Sequence, residues 1–241
     1  YEKTLCFMRI LGFLLTDGCI SLNKRDNIYN SSVCIGTKLD TSIFMNDLEK
    51  ICDKRPKITE HKPSSHCSST MYSISIPSDL TKGIVLLEGI VTGRRVSKEA
   101  VLPAFILDEN CPLPIVREFL GGMFGGDGHA PCIDNSINVI RSVGFSKTKF
   151  LEHKDSLHEF MKNMKKLLER FGITNVTQKK DKILFTEIRK DKCVESTMYI
   201  SIEDLVLFSN KIGYRYCLDK AMKLTCIRSY RQMYEKLNEQ C

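Results

Sequence analysis

The sequence predicts an α+β protein built twice over. Each half runs helix, two strands, helix, two strands, helix, and the halves close as a pseudo-two-fold with antiparallel sheets flanking a central helix pair. Three observations lead there. An apolar helix with Leu5, Phe7, Met8, Leu11, Leu14 and Leu15 at helical spacing runs into Asp17-Gly18, and the pattern returns 110 residues later, where Phe119 to Phe124 run into Asp127-Gly128. Glycines stand at i, i+4 spacing inside the second copy (121/125 and 122/126), and Gly12 and Thr16 match them in the first. Lastly, Ser69-Thr70-Met71-Tyr72 with Asp79-Leu80 after it is echoed by Ser196-Thr197-Met198-Tyr199 with Asp204-Leu205, offset by 127.

The first helix is expected to stop at Gly18, whose left-handed conformation carries no Cβ penalty. In the second helix each of the four internal glycines costs roughly 1 kcal/mol against Ala. A helix that merely covers a core has no use for them. A stripe cleared of side chains lets another backbone approach, so the two helices are expected to pack on each other with Asp17 and Asp127 emerging together. Two carboxylates there meet the negative ends of two dipoles and unpaired carbonyls, with Thr16 and Gly126 beside them. That arrangement calls for a cation, and Mg²⁺ suits it, since it takes one or two carboxylates plus water and phosphate oxygens. A single Asp-Gly is an ordinary turn; the doubling on matched helices gives it chemical meaning.

The remaining elements follow in order. Residues 19–23 and 31–37 read as strands around a turn at 24–30, and 41–52 as a helix with Ile43, Phe44, Leu48 and Ile51 on its apolar stripe. Residues 54–68 begin as a short strand and become a loop through Pro56 and Pro63; 70–76 alternate as a strand, and 79–88 form a helix. Pro103, Pro112 and Pro114 mark a linker, giving an N-terminal half at 1–95, a linker at 96–114 and a C-terminal half at 115–241. In the second half, strands are expected at 130–134 and 138–146, a long helix at 156–171, strands at 174–179, 183–189 and 197–202, a short helix from Asp204, and a final helix from Leu218 toward Leu237.

The formal charge of +7 favours a polyanionic partner. No run approaches the roughly 18 apolar residues that span a membrane, and no secretory signal opens the chain. It begins at Tyr1 without Met, as an excised segment or a fragment prepared for expression would. Eleven cysteines, an odd number without a C-x-x-C pair, argue against a disulfide framework. Cys6, Cys19 and Cys34 read as buried small hydrophobes. His61, His66 and Cys67 hint at zinc but lack a second ligand cluster at finger spacing.

Both apolar nonamers resemble the LAGLIDADG motif of homing endonucleases, with Asp17 and Asp127 at its last acidic position. The stretch from Val116 through Phe119-Leu120-Gly121-Gly122-Met123-Phe124-Gly125-Gly126-Asp127-Gly128 to His129 is especially similar to the intein-associated branch. Two copies in one chain match the monomeric members. The resemblance implies an intracellular enzyme of nucleus or organelle that binds double-stranded DNA and cuts both strands with Mg²⁺, for which Mn²⁺ or Ca²⁺ substitutes in the site. A two-stranded ribbon fits the major groove, and alternate strand residues would meet base edges. Ser21, Asn23, Lys24 and Arg25 in the first half, and Asn138, Arg141, Lys182, Glu187 and Arg189 in the second, are the outward candidates. The family also places basic or amide side chains beside the metals, and Thr37-Lys38 and Ser146-Lys147 correspond by position. Lys98, with Lys211 or Arg215, would enter from the last helix of each half. An RNA maturase or a non-cleaving DNA-binding protein of the same fold would share the motifs. The ending at Cys241 lacks a His-Asn pair, so self-splicing is not expected.

Overall fold

The computed structural model describes residues 1–52, 55–63, 69–134, 139–186 and 191–238. The first half is α1 (Glu2–Asp17), β1 (Gly18–Asn23), β2 (Ile28–Ile35), α2 (Lys38–Ile51), β3 (Ile58–His61), β4 (Met71–Ile76) and α3 (Ser78–Val85), in the order expected. Its four strands form one antiparallel sheet, β1-β2-β4-β3. The period of two sends Ile20, Val33, Ile35, Ile74 and Ile76 into the core and leaves Ser21, Asn23, Ser73 and Ser75 on the open face. Cys6 is buried, but Cys19 and Cys34 are exposed, contrary to the reading from their apolar neighbours. They alternate with Ile20 and Val33, and those neighbours take the inward places.

Between the halves runs a 3₁₀ turn at Arg95–Ser97 and a single-turn α4 (Ala104–Leu107). The second half holds α5 (Leu113–Asp127), β5 (Gly128–His129), β6 (Cys132–Asp134), β7 (Val139–Arg141), β8 (Gly144–Phe150), α6 (Lys154–Glu169), β9 (Val176–Gln178), β10 (Lys182–Thr186), β11 (Asp191–Ile200), α7 (Leu205–Lys211) and α8 (Leu218–Asn238). Pro114 sits in the first turn of α5, where its missing N–H costs nothing. The strand expected at 138–146 is divided: Val139–Arg141 pairs only with Cys132–Asp134 as a separate ribbon, and the sheet resumes at Gly144. β11 is the spine of this sheet, pairing along one side with β8 and along the other with both β9 and β10. Phe124, Phe145 and Phe208 make edge contacts in the core beneath it.

Gly18 and Gly128 leave their helices in extended backbone, with φ of −104° and −73°. They are therefore not left-handed caps. A Cβ on either would run into the carbonyl of Leu14 or Phe124, so glycine is needed for the sharpness of the helix-to-strand exit.

Candidate functional site

The four glycines of α5 divide between two neighbours. A Cβ at Gly122 would collide with the Arg9 carbonyl, one at Gly126 with Thr16, and one at Gly12 with the Phe119 carbonyl, so α1 and α5 lie backbone to backbone and parallel. Gly121 and Gly125 face instead the loop before α8. The Arg215 N–H donates to Gly121 O at 2.9 Å, and a Cβ at Gly125 would strike the Arg215 carbonyl. One helix thus presents two bare stripes, and the second admits a loop that sequence reading did not anticipate.

The parallel packing brings both helix ends, with Asp17 and Asp127, to one place. Asp17 Cγ would lie 3.3 Å from a Cβ on Gly126. Asp17 opens onto solvent, yet crowding by the surrounding protein and then the Asp127 charge raise its carboxyl, against the pull of Lys220, Arg95 and Lys147. The protein itself supplies the cations that the dipoles ask for. Arg95 Nη1 donates to Leu14 O at 2.9 Å and Nη2 to Thr16 O at 2.7 Å and to Gly18 O, capping α1. Lys220 Nζ donates to Gly125 O at 2.7 Å and to Gly126 O, capping α5. Lys147, on β8, stands 3.4 Å from Asp127 Oδ2. Lys149, two residues on and 2% exposed, lies behind it. Burial lowers the pKa of both Lys147 and Lys220, and pushes Lys149 down to about 8. Three cations, Arg95, Lys147 and Lys220, therefore surround two carboxylates, and Thr16, Arg95, Asp127, Ser146 and Lys147 line one hollow.

The sequence candidates are distributed as follows. Thr16 Oγ1 is spent on the Gly12 and Phe13 carbonyls, and the Thr16 and Gly126 carbonyls accept from Arg95 and Lys220. Lys98 is exposed, its N–H closing the turn onto Arg95 O. Lys211 ends α7 and shares a hollow with Leu113 and Arg117, at the far end of α5, about 20 Å from Asp127 along that helix. Arg215 turns its guanidinium away from the carboxylates to Glu118, at 2.8 and 3.1 Å. Glu118, 2% exposed, also meets Arg9 and Arg117; burial alone would raise it, but Arg215, then Arg9 and Arg117, hold it below the usual range. Arg95 and Lys220, which sequence reading missed, stand at the carboxylates instead. Both act on main-chain carbonyls of another element, and no local pattern announces that.

Thr37 and Ser146 are not equivalent positions. Gly18 pairs with Val33, and Gly128 with Phe145, so Ile35 takes the place of Lys147. Thr37 is the N-cap of α2, accepting from Asp40 N at 3.1 Å, with Lys38 exposed after it. Asn23 orders the β1–β2 turn through Asp26 Oδ2, at 2.8 Å, and the Arg25 N–H; Lys24 and Arg25 are exposed in that turn. Arg141 and Lys182 are exposed at the ends of β7 and β10. Asn138, Glu187 and Arg189, like His66 and Cys67, lie outside the described residues. The open face of the second sheet carries Tyr199 as well, with Lys179 Nζ 4.5 Å above its ring.

Among the described residues, no group of three or more His, Cys, Asp or Glu side chains is placed to hold a metal. Asp17 and Asp127 form an all-oxygen pair whose mutual repulsion a cation would relieve. That donor set fits a hard divalent ion that completes its shell with phosphate oxygens and water. No described helix is long and apolar enough to cross a membrane.

Residues 114–213 match the model of the LAGLIDADG-like domain. The structure is similar to that of the homing endonuclease I-WcaI bound to its DNA recognition sequence, at 14% identity over 90% of this chain and 86% of the other, with a TM-score of 0.53. It is also similar to I-DmoI in complex with DNA and Mn, at 13% identity over 87% and 97% of the two chains and a TM-score of 0.50. Among curated proteins, a tRNA-splicing ligase RtcB from Pyrococcus abyssi is 27% identical over 72% of this chain and 18% of its own length. A replication factor C small subunit from Methanocaldococcus jannaschii is 27% identical over 92% of this chain and 12% of its own length. The chain thus spans less than a fifth of the curated relatives it matches.

Proposed function

We propose that this chain is a site-specific DNA endonuclease that makes double-strand breaks in a long asymmetric target, acting as a monomer. The observation that carries the reading is the meeting of Asp17 and Asp127 at two parallel helix ends, ringed by Arg95, Lys147 and Lys220, with the open face of an antiparallel sheet leading away from each half. We take residues 1–95 and 115–241 as the two halves and 96–114 as their linker.

A Mg²⁺ or Mn²⁺ ion held by Asp17 and Asp127 would supply Lewis-acid stabilisation of charge at a scissile phosphate. The chain's own cations do the rest. Arg95 and Lys220 keep the α1 and α5 ends electropositive, so a phosphate can enter where two dipoles point their negative poles. Lys147 meets charge that develops on the phosphoryl oxygens beside Asp127. The two sheet faces bring strand side chains to base edges, and the exposed Lys24, Arg25, Arg141, Lys179 and Lys182 supply sequence-independent contacts to the backbone.

The curated relatives favour an inserted, intein-associated element. A ligase and a replication factor are unlike in name, yet similarity to this chain recurs in each over 12–18% of its length. A shared segment in unlike proteins is better explained by a mobile insert than by ligase or clamp-loading chemistry in this chain.

Incubation with a randomised duplex library and Mg²⁺, followed by sequencing of the ends, tests the reading. Defined cuts in both strands are expected, abolished by Asp17→Asn or Asp127→Asn while binding in Ca²⁺ is retained. Full cleavage by both variants would overturn it.

A further inference from the structure

Among the described residues, Lys149 is the one lysine that is almost sealed from water, at 2% exposure, and nothing in the cleavage reading above uses it. Its Nζ donates to Arg95 O and, at 3.1 Å, to Glu99 O, so it grips the turn at both ends. The groups that bear on its charge are Lys147 and Arg95, both cations. A buried charge held only by main-chain carbonyls is costly against an apolar residue of similar size. The turn it grips is the one whose guanidinium caps α1 beside Asp17.

The same segment is fastened on both sides. On the first half, the Gly93 N–H donates to Ile20 O at 2.6 Å, and the Arg95 side chain reaches Leu14, Thr16 and Gly18. On the second half, Arg94 pairs with Asp191 at 3.6 Å and lies 4.9 Å over the Phe150 ring, while Ser156 Oγ accepts from the Ala100 N–H at 3.0 Å. The carbonyl of Arg95 accepts from the Lys98 N–H within the turn, at 3.3 Å, and from Lys149, which is the donor that reaches it from the second half.

We infer that Lys149 is a positioning residue: it fixes the Arg95 turn from the second half so that the Arg95 guanidinium is set on the carboxyl end of the first half's helix, beside Asp17. This rests on the nuclease reading for its consequence in catalysis, but not for the geometry. Lys149 touches no reacting group; it acts through Arg95. A strap between halves is thereby made part of the site, and the first half's cation depends on a lysine of the second.

Two readouts test this separately. In ¹⁵N-arginine-labelled protein without metal or DNA, the Arg95 guanidinium signals should be shifted and slow to exchange in the wild type. In Lys149→Met they should move to the position of a free guanidinium. In single-turnover cleavage, Lys149→Met should cut at least tenfold more slowly with unchanged affinity in Ca²⁺, and Lys149→Met with Arg95→Met should be no slower than Arg95→Met alone. Should Lys149→Met not fold, Lys149→Arg keeps the charge but is too long for the sealed space, and it should shift the Arg95 signals in the same sense. Arg95 signals that stay as in the wild type overturn the inference, as do additive rate losses in the double variant. Shifted Arg95 signals in a protein that cuts no duplex would keep the inference and remove the nuclease reading.

Discussion

Lys147 on β8 and Ile35 on β2 occupy the same register position of the two sheets, one beside Asp127 and the other in the core under Asp17. The fold is doubled, but the site is not. Asp127 has a lysine 3.4 Å away on its own sheet, whereas Asp17 depends on Arg95 and Lys220 from other elements. The two strands of a bound duplex should therefore be cut at unequal rates. A supercoiled substrate is expected to pass through a nicked form, and Lys147→Met should prolong that form at least tenfold. Simultaneous loss of supercoiled and gain of linear DNA in both proteins would contradict this.

Gly122 against Arg9 and Gly125 against Arg215 place backbone on two sides of α5. Gly122→Leu and Gly125→Leu should each destabilise by about 3 kcal/mol or more, since the atoms a side chain would strike are main-chain carbonyls, which cannot swing aside. Gly36 and Gly83 have open space where a Cβ would go, and Gly36→Ala should be nearly neutral. Thermal unfolding of the three variants distinguishes a close-packed helix from a generally glycine-rich one. A Gly125→Leu melting temperature equal to that of the wild type would show that the Arg215 loop is not seated there.

Glu118 is held below the usual carboxylate range by Arg215, Arg9 and Arg117, so its folded pKa lies beneath its unfolded value. Its contribution to stability is present above the unfolded pKa, near 4.5, and is lost as pH falls through the folded value. Glu118→Gln leaves Arg9 and Arg215 facing a neutral group. It should cost about 3–5 kcal/mol at pH 7 and less at acid pH, where the unfolded chain's Glu118 takes up a proton before the folded one does. Urea unfolding at pH 7 and pH 3.5 measures this; an equal difference at both values would mean that the ion cluster contributes nothing through its charge.

Lys149 shifts the other way. Its folded pKa of about 8 lies below the ordinary lysine value of 10.5, so the unfolded chain binds more protons between those limits. Stability from this group is therefore least below pH 8 and grows as pH rises toward 10.5, by about 3 kcal/mol at most. Lys149→Met removes that slope. Its stability relative to the wild type should fall between pH 7.5 and 9.5, and a difference constant over that range would show that Lys149 titrates normally.

The architecture was legible because both periodicities are strong. The helix-to-Asp-Gly runs, the strand alternation around Ile20 and Ile74 and the stripe of α6 each depend on neighbours in sequence. The tetrapeptide echo misled in detail. Val33 pairs with Ile74, and Phe145 with Met198, so Met198 corresponds to Ile74 and not to Met71. That is a shift of three residues, and an odd shift puts matched side chains on opposite faces. The same kind of slip placed Thr37-Lys38 beside Ser146-Lys147. Arg95 and Lys220 could not be read at all, because their partners are carbonyls, and every residue has one.

The open faces differ in charge as well as in position. In the first half Ser21, Ser32, Ser73 and Ser75 lie on the face, with Lys24 and Arg25 only in the turn beyond it. In the second, Lys182 on β10 pairs opposite Glu195, and Lys179, just past the end of β9, lies over Tyr199, so cations stand over the face itself. If both faces meet DNA, the second half supplies more of the salt-dependent affinity. Arg141→Ala and Lys179→Ala are each expected to weaken binding, and the kind of loss identifies the contact. A lost phosphate contact weakens all sequences alike and lowers the salt slope by about one. A lost base contact costs about 1–3 kcal/mol and relaxes preference at one position only. Lys179, oriented by the Tyr199 ring, should behave in the first way. Arg141, at the end of the β6–β7 ribbon, should behave in the second. Binding to a panel of single-base target variants at two salt concentrations separates these outcomes. Unchanged affinity in both variants would mean that the face carrying Tyr199 and Lys179 is turned away from the duplex.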